Sequence, residues 1–270
     1  MTDTEVFANA IRLRALELCY RKRTSHIGGA FSVADVLAVL YSGTMAIDPA
    51  TTQSMSRDRL FYSKGHACSA LYAALELRGF FPGVDVLAEF TENGSYFTSH
   101  INHNLPGVEL STGSLGHALG VACGSALAGK RRAMDYAVFS IVSDGELDEG
   151  SNWEAIMFAA HHRLDNLVLV VDYNKIQSFG TVAEVMTLEP LADKFRAFNW
   201  DVTEVDGHSI ATLQQTLGAA KADRTGRPHC VIAHTVKGKG VSFMENQLAW
   251  HYKSPRDDDY RAARIELEAV

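Results

Sequence analysis

Residues 137–176 read AVFSIVSDGELDEGSNWEAIMFAAHHRLDNLVLVVDYNKI, and the architecture of the chain follows from them. The two apolar runs, AVFSIVS at 137–143 and NLVLVVD at 166–172, are rich in Val, Leu and Ile without strict polar alternation. Strands covered by helices on both faces have this composition. Between them, SNWEAIMFAAHH opens on Ser151 and carries Glu154 three residues later, which predicts a helix begun by a capping box. A strand, a helix and a second strand in this order form a parallel unit with a right-handed crossover.

The same alternation continues on the carboxyl side. WDVTEV at 200–205 and HCVIAHT at 229–235 predict further strands, with a helix starting near Ser209 between them. On the amino side the period is helical. Phe7, Ile11 and Leu18 lie on one face of an opening helix, with Arg12, Arg14 and Glu17 between apolar positions. Ser32, followed by Asp35, predicts the start of a helix through VLAVLY. CSALYAALELR predicts a helix stopped by Gly79, and LGHALGVACGSALAG one stopped by Gly129. The expected fold class is α/β, with a mostly parallel central sheet flanked by helices. Ligands of such sheets sit at the carboxyl ends of the strands.

Bulk composition narrows the function classes. With 270 residues, 47% hydrophobic and 21% charged, the chain can bury a large core. A net charge of -7 and scattered Lys and Arg argue against nucleic acid as a partner. No apolar run is long enough to cross a bilayer, and MTDTEVFANAIRLRALELC lacks the layout of a secretory signal, so no membrane partner is expected. Cys19, Cys68, Cys123 and Cys230 are far apart and form no framework, which fits a reducing cytoplasm.

Asp144 ends one predicted strand and Asn174 the next, so adjacent strands would bring a carboxylate and an amide oxygen together. With a main-chain carbonyl they offer part of an octahedral oxygen shell for Mg2+, leaving positions for phosphate oxygens. A second reading stays open here: Asp-Gly is a common turn and Asn a common strand-end cap. Among the eleven histidines, His26 in SHIGGAFS, His66 in YSKGHACSALY, His100 upstream of LPGVELSTGSLGHALG, and His251 in AWHYKSP stand out by their glycine-rich or non-periodic surroundings. Spacing gives no zinc pattern. Gly116, at the expected start of a helix, can present a free N–H to an anion, or with Gly120 and Gly124 it can let another helix approach. Lys237-Gly238-Lys239-Gly240 lacks the order of a nucleotide phosphate loop, so ATP is not implied.

Residues 143–155, SDGELDEGSNWEA, followed by NLVLVVDYNKI to Ile176, closely resemble the thiamine-diphosphate signature of transketolases, which opens with Gly-Asp-Gly and closes at an Asn. The resemblance implies a thiamine-diphosphate-binding fold, with Mg2+ on Asp144, Asn174 and the carbonyl of Ile176, and Gly145 beside the diphosphate. The SHIGG, YSKGH, PGVE and WH segments extend it. By resemblance His26, His66, His100 and His251 are catalytic groups of the diphosphate and substrate channel, with His66 and His251 also on the cofactor. Gly116 is implied as a backbone diphosphate contact. His117 occupies a position that is Gln in many single-chain transketolases and His in related enzymes. Glu149 and Glu154 have a subunit-contact reading and a capping reading, both open. The chain departs from the family pattern at Ser143, where Gly is usual, at Phe179-Gly180, where Asp-Gly is frequent, and at Tyr252, where Gly is common.

The resemblance further implies residues 1–254 as a transketolase N-terminal diphosphate-binding domain and 255–270 as a charged C-terminal tail. In the family the activating Glu belongs to a pyrimidine-binding domain, so the expected partner is a separate C-terminal transketolase subunit, in a heterotetramer with two copies of each chain. The expected reaction moves a two-carbon ketol unit from a ketose, phosphorylated by expectation, to an aldose. The competing readings are a 1-deoxyxylulose-phosphate synthase, the α-type subunit of an oxidative decarboxylase and a noncatalytic regulatory subunit. The SHIGG, YSKGH, PGVE and WH combination favours transketolase over the decarboxylase, and the lack of an attached second half argues against the synthase.

Overall fold

A computed structural model describes residues 1–269; Val270, the last residue of the expected tail, lies outside them. Among the described residues, β1 (Arg59–Tyr62), β2 (Val138–Ser143), β3 (Leu167–Tyr173), β4 (Asp201–Asp206) and β5 (His229–His234) form one sheet in the order β1-β2-β3-β5-β4, with every neighbouring pair parallel. The unalternating apolar runs are explained by burial on both faces: β2 and β3 are buried along their whole length. Val168 and Val170 enter one core, while Leu167, Leu169 and Val171 enter the other, as the two-residue repeat of a strand requires.

The first core lies under α1 (Asp3–Lys22), α2 (Ile27–Ser32), α3 (Ala34–Val39) and α4 (Cys68–Leu77), joined by the short α5 (Val86–Glu89). The second lies under α6 (Ala118–Arg131) and α7 (Gly150–His161), with the short α8 (Val182–Val185) and α9 (Leu191–Ala197). Helix α10 (Ile210–Ala222) returns to the first side, where α11 (Asp257–Glu268) also packs. Helix α1 is opened by Thr2, whose hydroxyl accepts the Glu5 N–H while the Glu5 carboxylate accepts the Thr2 N–H. The charged segment near the C-terminus folds as α11, with Ala263 and Leu267 buried and Tyr260 stacked on Tyr20 at 4.1 Å. A truncation such as Leu169→Ala in this close-packed interior costs about 2–5 kcal/mol.

Three local expectations are corrected. A helix, α3, does begin just after Ser32, at Ala34, but Ser32 does not cap it: Val33 stands at the N-cap, Ser32 Oγ instead donates to Asp172 Oδ2 at 2.6 Å, and Asp35 pairs with Arg12 and His208. Ser151 does not cap α7, which starts at Gly150; its hydroxyl donates to the Gly116 carbonyl at 2.7 Å. Gly129 does not stop α6, which continues to Arg131: the left-handed residue that ends it is Ala133, at φ +51, and Gly129 lies inside the helix, where the ring of Tyr136 packs against it. At both serines a tertiary contact outweighs a local capping signal worth about 1 kcal/mol.

Candidate active site

Parallel pairing sets the carboxyl ends of β1, β2, β3 and β5 side by side, and their following loops converge. Ser143 is in register with Asp172, which places Asp144 beside the loop leaving β3. Asp144 Oδ2 accepts the Lys175 N–H at 2.6 Å, and Oδ1 accepts the Gly145 N–H at 2.7 Å. Asn174 Oδ1 accepts the Ile176 N–H at 3.2 Å. Lys175 takes φ +67, a left-handed conformation that turns the chain sharply between Asn174 and Ile176.

These loops border a cavity of about 240 Å³ whose wall includes Asp144, Gly145, Asn174 and Ile176 together with His26, His66, His100 and His251. The imidazoles come from four separate parts of the chain. The His26 ring centroid lies 5.3 Å from that of His66, 6.3 Å from His100 and 5.0 Å from His251. The His26 N–H donates to the His251 carbonyl at 3.0 Å, tying the first histidine loop to the last. Two glycines permit the approach. A Cβ on Gly65 would meet the Thr112 carbonyl oxygen at 2.2 Å, and one on Gly113, at φ +153, would meet the His100 ring at 2.6 Å.

Electrostatics at the cavity are those of a half-desolvated polar site. Burial, with His100 and Lys237 nearby, lowers the His26 pKa to about 4. Burial followed by Lys237 lowers that of His251 to about 3, and burial followed by Lys64 depresses His66 as well. These three rings are therefore neutral at pH 7, each with one donor and one acceptor. Burial brings Lys237 down to about 8; its ammonium donates to the Ile176 carbonyl at 2.8 Å and lies 3.1 Å from His251 Nδ1. Burial, then the charge of Asp172, pushes Asp144 up to about 6.

Gly116 and His117 stand outside the cavity wall. Gly116, at φ +85 before α6, donates its N–H to Glu146 Oε1 at 2.9 Å. His117 is the N-cap residue of α6 and lines an adjoining cleft that shares His100 and Gly113 with the cavity, its Nδ1 3.1 Å from the carbonyls of Ser114 and Leu115. Lys64, Leu115 and Gln177 line the cavity without a site reading from the sequence, and so does Lys237, whose Lys237-Gly238-Lys239-Gly240 segment was read only as lacking a nucleotide phosphate loop. Lys64 sits two residues before His66, so its place in YSKGH was the available signal; the basic glycine-rich segment marked Lys237, and nothing local marks Leu115 or Gln177.

The model of the family described as "Transketolase, thiamine diphosphate binding domain" matches residues 3–269. The chain belongs to the transketolase family. It is 42% identical over 267 residues to the 6-deoxy-6-sulfo-D-fructose transketolase subunit SqwG of Clostridium sp., covering 98% of this chain and 96% of that one. It is 41% identical to an apulose-4-phosphate transketolase subunit of Phocaeicola vulgatus, covering 95% of this chain and 90% of that one. The solved transketolase from Leishmania mexicana superposes with a TM-score of 0.93 at 28% identity over 99% of this chain. The chain spans 42% of the length of that transketolase.

Family membership makes this transketolase domain a binder of thiamine diphosphate, and the residues present fit the cofactor's anionic end. Asp144, Asn174 and the Ile176 carbonyl offer three oxygens, the donor type that Mg2+ prefers. The Asp144 carboxylate is buried and its pKa is raised, the state of an anion short of a counter-charge. Gln177 Nε2, a donor, is buried at the cavity wall without a hydrogen-bond partner. No helix among the described residues is long and apolar enough to cross a membrane.

Proposed function

We propose that this chain is the diphosphate-binding subunit of a two-subunit transketolase, in which a separate chain supplies the pyrimidine-binding domain and its activating Glu. The observation that carries this reading is the match in length: the chain covers 96% and 90% of relatives that are themselves named as transketolase subunits. The cavity supports it. At about 240 Å³ it falls below the ~300 Å³ at which pockets begin to enclose a whole small ligand, and it fits one end of a cofactor whose other end is held elsewhere.

Thiamine diphosphate, when bound, supplies the carbon nucleophile and electron sink for two-carbon ketol transfer from a ketose, phosphorylated in our reading, to an aldose. Asp144, Asn174 and the Ile176 carbonyl would hold Mg2+, with Gly145 beside the diphosphate. The neutral rings of His26, His66 and His251, together with His100, hydrogen-bond substrate hydroxyls and the carbonyl oxygen and pass protons between them. Lys237, held by the Ile176 carbonyl, keeps a positive charge facing the anionic end of the site. The four buried thiols fit a cytoplasmic enzyme, assembled as two copies of each subunit.

The test is reconstitution. The chain alone, the partner alone and the mixture are assayed for ketol transfer with added thiamine diphosphate and Mg2+. Activity confined to the mixture is expected. Equal activity of the isolated chain would end the two-subunit reading, and a mixture that binds cofactor without turnover would favour a regulatory role.

A further inference from the structure

The amino-terminal edge of the sheet, at the opposite end of the strands from the histidine cavity, carries a second set of metal-type donors. Asp201 opens β4 and His229 opens β5, and the parallel register pairs them directly. Asp223 follows α10 as its C-cap residue. One ligand atom from each of the three lies within 4.8 Å of the other two, the one such group of His, Cys, Asp and Glu side chains among the described residues.

His229 is only 8% exposed, and its Nε2 is buried with no hydrogen-bond partner. Asp223 Oδ2 lies 3.5 Å from that nitrogen. This exceeds the about 2.7–3.2 Å of an N–H···O bond. It is close to the separation a shared ion imposes, since ligands about 2.0–2.1 Å from a tetrahedral centre stand roughly 3.3–3.4 Å apart. Each carboxylate is held through one oxygen. Arg227 Nη1 donates to Asp201 Oδ1 at 3.2 Å and the Thr225 N–H to Asp223 Oδ1 at 2.9 Å, so each keeps its other oxygen for a ligand, as supporting groups do around metals. Arg224 is turned onto main-chain carbonyls, among them those of Asp165 and Asp223.

We propose that Asp201, Asp223 and His229 bind one divalent transition ion of the zinc class, with water completing its shell. An imidazole with two carboxylates selects such an ion over Mg2+ or Ca2+, which take oxygen donors alone. The ion links the end of α10 to β4, an edge strand paired among the described residues only with β5, and so has a structural role at a distance from the chemistry.

The test is titration of the EDTA-stripped chain with Zn2+ in the presence of Mg2+ and thiamine diphosphate, so that the histidine cavity is occupied. Wild type is compared with Asp223→Asn and His229→Gln. We expect a site that weakens roughly tenfold or more in each variant, a zinc-dependent rise in Tm confined to wild type, and unchanged cofactor affinity. A His26→Asn/His251→Asn variant should keep the site, which separates it from any zinc held by the cavity. Should His229→Gln fail to fold, Asp223→Asn, at a partly exposed position, carries the comparison. Equal Zn2+ affinity in wild type and Asp223→Asn, or no anomalous zinc signal beside His229 in zinc-soaked crystals, overturns the proposal.

Discussion

Lys64 and Asp172, 108 residues apart in sequence, form a fully buried ion pair at the floor of the histidine cavity. Burial alone would push the Asp172 carboxyl upward, but the Lys64 ammonium and the hydroxyls of Ser32 and Thr235 outweigh it and hold the group ionised. Lys64 also donates to the Gly29 carbonyl at 2.8 Å, joining α2 to the ends of β1 and β3. Removing one partner of such a pair leaves an uncompensated charge. Lys64→Met should therefore destabilise the chain by about 3–5 kcal/mol, and Lys64→Met with Asp172→Leu by clearly less. Urea unfolding of the three proteins measures this, and a single-variant loss below about 1 kcal/mol, the level of an exposed pair, would count against it.

Asp144→Asn keeps the shape of the strand end and removes the charge. An ionised partner contributes about 2–3 kcal/mol, so thiamine-diphosphate affinity in Mg2+ should fall by roughly 30- to 150-fold. Calorimetric titration with and without Mg2+ reads the change. Unaltered affinity would remove Asp144 from the proposed metal site.

Tyr252 stands 58% exposed at the cavity mouth, its ring 4.7 Å from that of His251 and 6.2 Å from that of His26. Tyr252→Gly should widen the entrance and leave the strand-end oxygens untouched. In the reconstituted enzyme, kcat/KM for longer ketoses relative to shorter ones should rise by roughly tenfold, the scale of a steric pocket contact, at constant cofactor affinity. An unchanged ratio would mean that the ring does not meet substrate.

The depressed pKa values of His26, His66 and His251 make the fold acid-sensitive. Unfolded histidine takes up a proton near pH 6.5, whereas folded His26 resists until about 4 and folded His251 until about 3. Between those limits the unfolded chain binds more protons, so stability rises with pH and is lost on acidification. Each histidine adds at most about 1.4 kcal/mol per pH unit. Unfolding free energies of the cofactor-free chain at pH 7, 6 and 5 should show this slope, and His26→Asn with His251→Asn should flatten it. Identical slopes would place the acid sensitivity elsewhere.

The strands at 137–143 and 166–172 were legible because a sheet covered on both faces demands apolar side chains at every position, a requirement visible without knowing the neighbours. The place of Asp144 and Asn174 at the carboxyl edge was legible for a related reason: polar residues at the ends of such runs must leave the sheet there. The four residues of β1 escaped notice because RLFY is too short to show a period. The roles of Ser32 and Ser151 were misread as helix caps because each hydroxyl has a partner far away in sequence, Asp172 and Gly116. The pairing of Lys64 with Asp172 and the turning of Lys237 onto Ile176 depend on the strand order β1-β2-β3-β5-β4, and the meeting of the four histidines depends on the loops folded over it. Amino-acid pattern encodes which residues must be buried and where elements end. Which distant polar groups then satisfy one another is decided only when the sheet closes and water is excluded, because a buried charge or hydroxyl must find its partner in space.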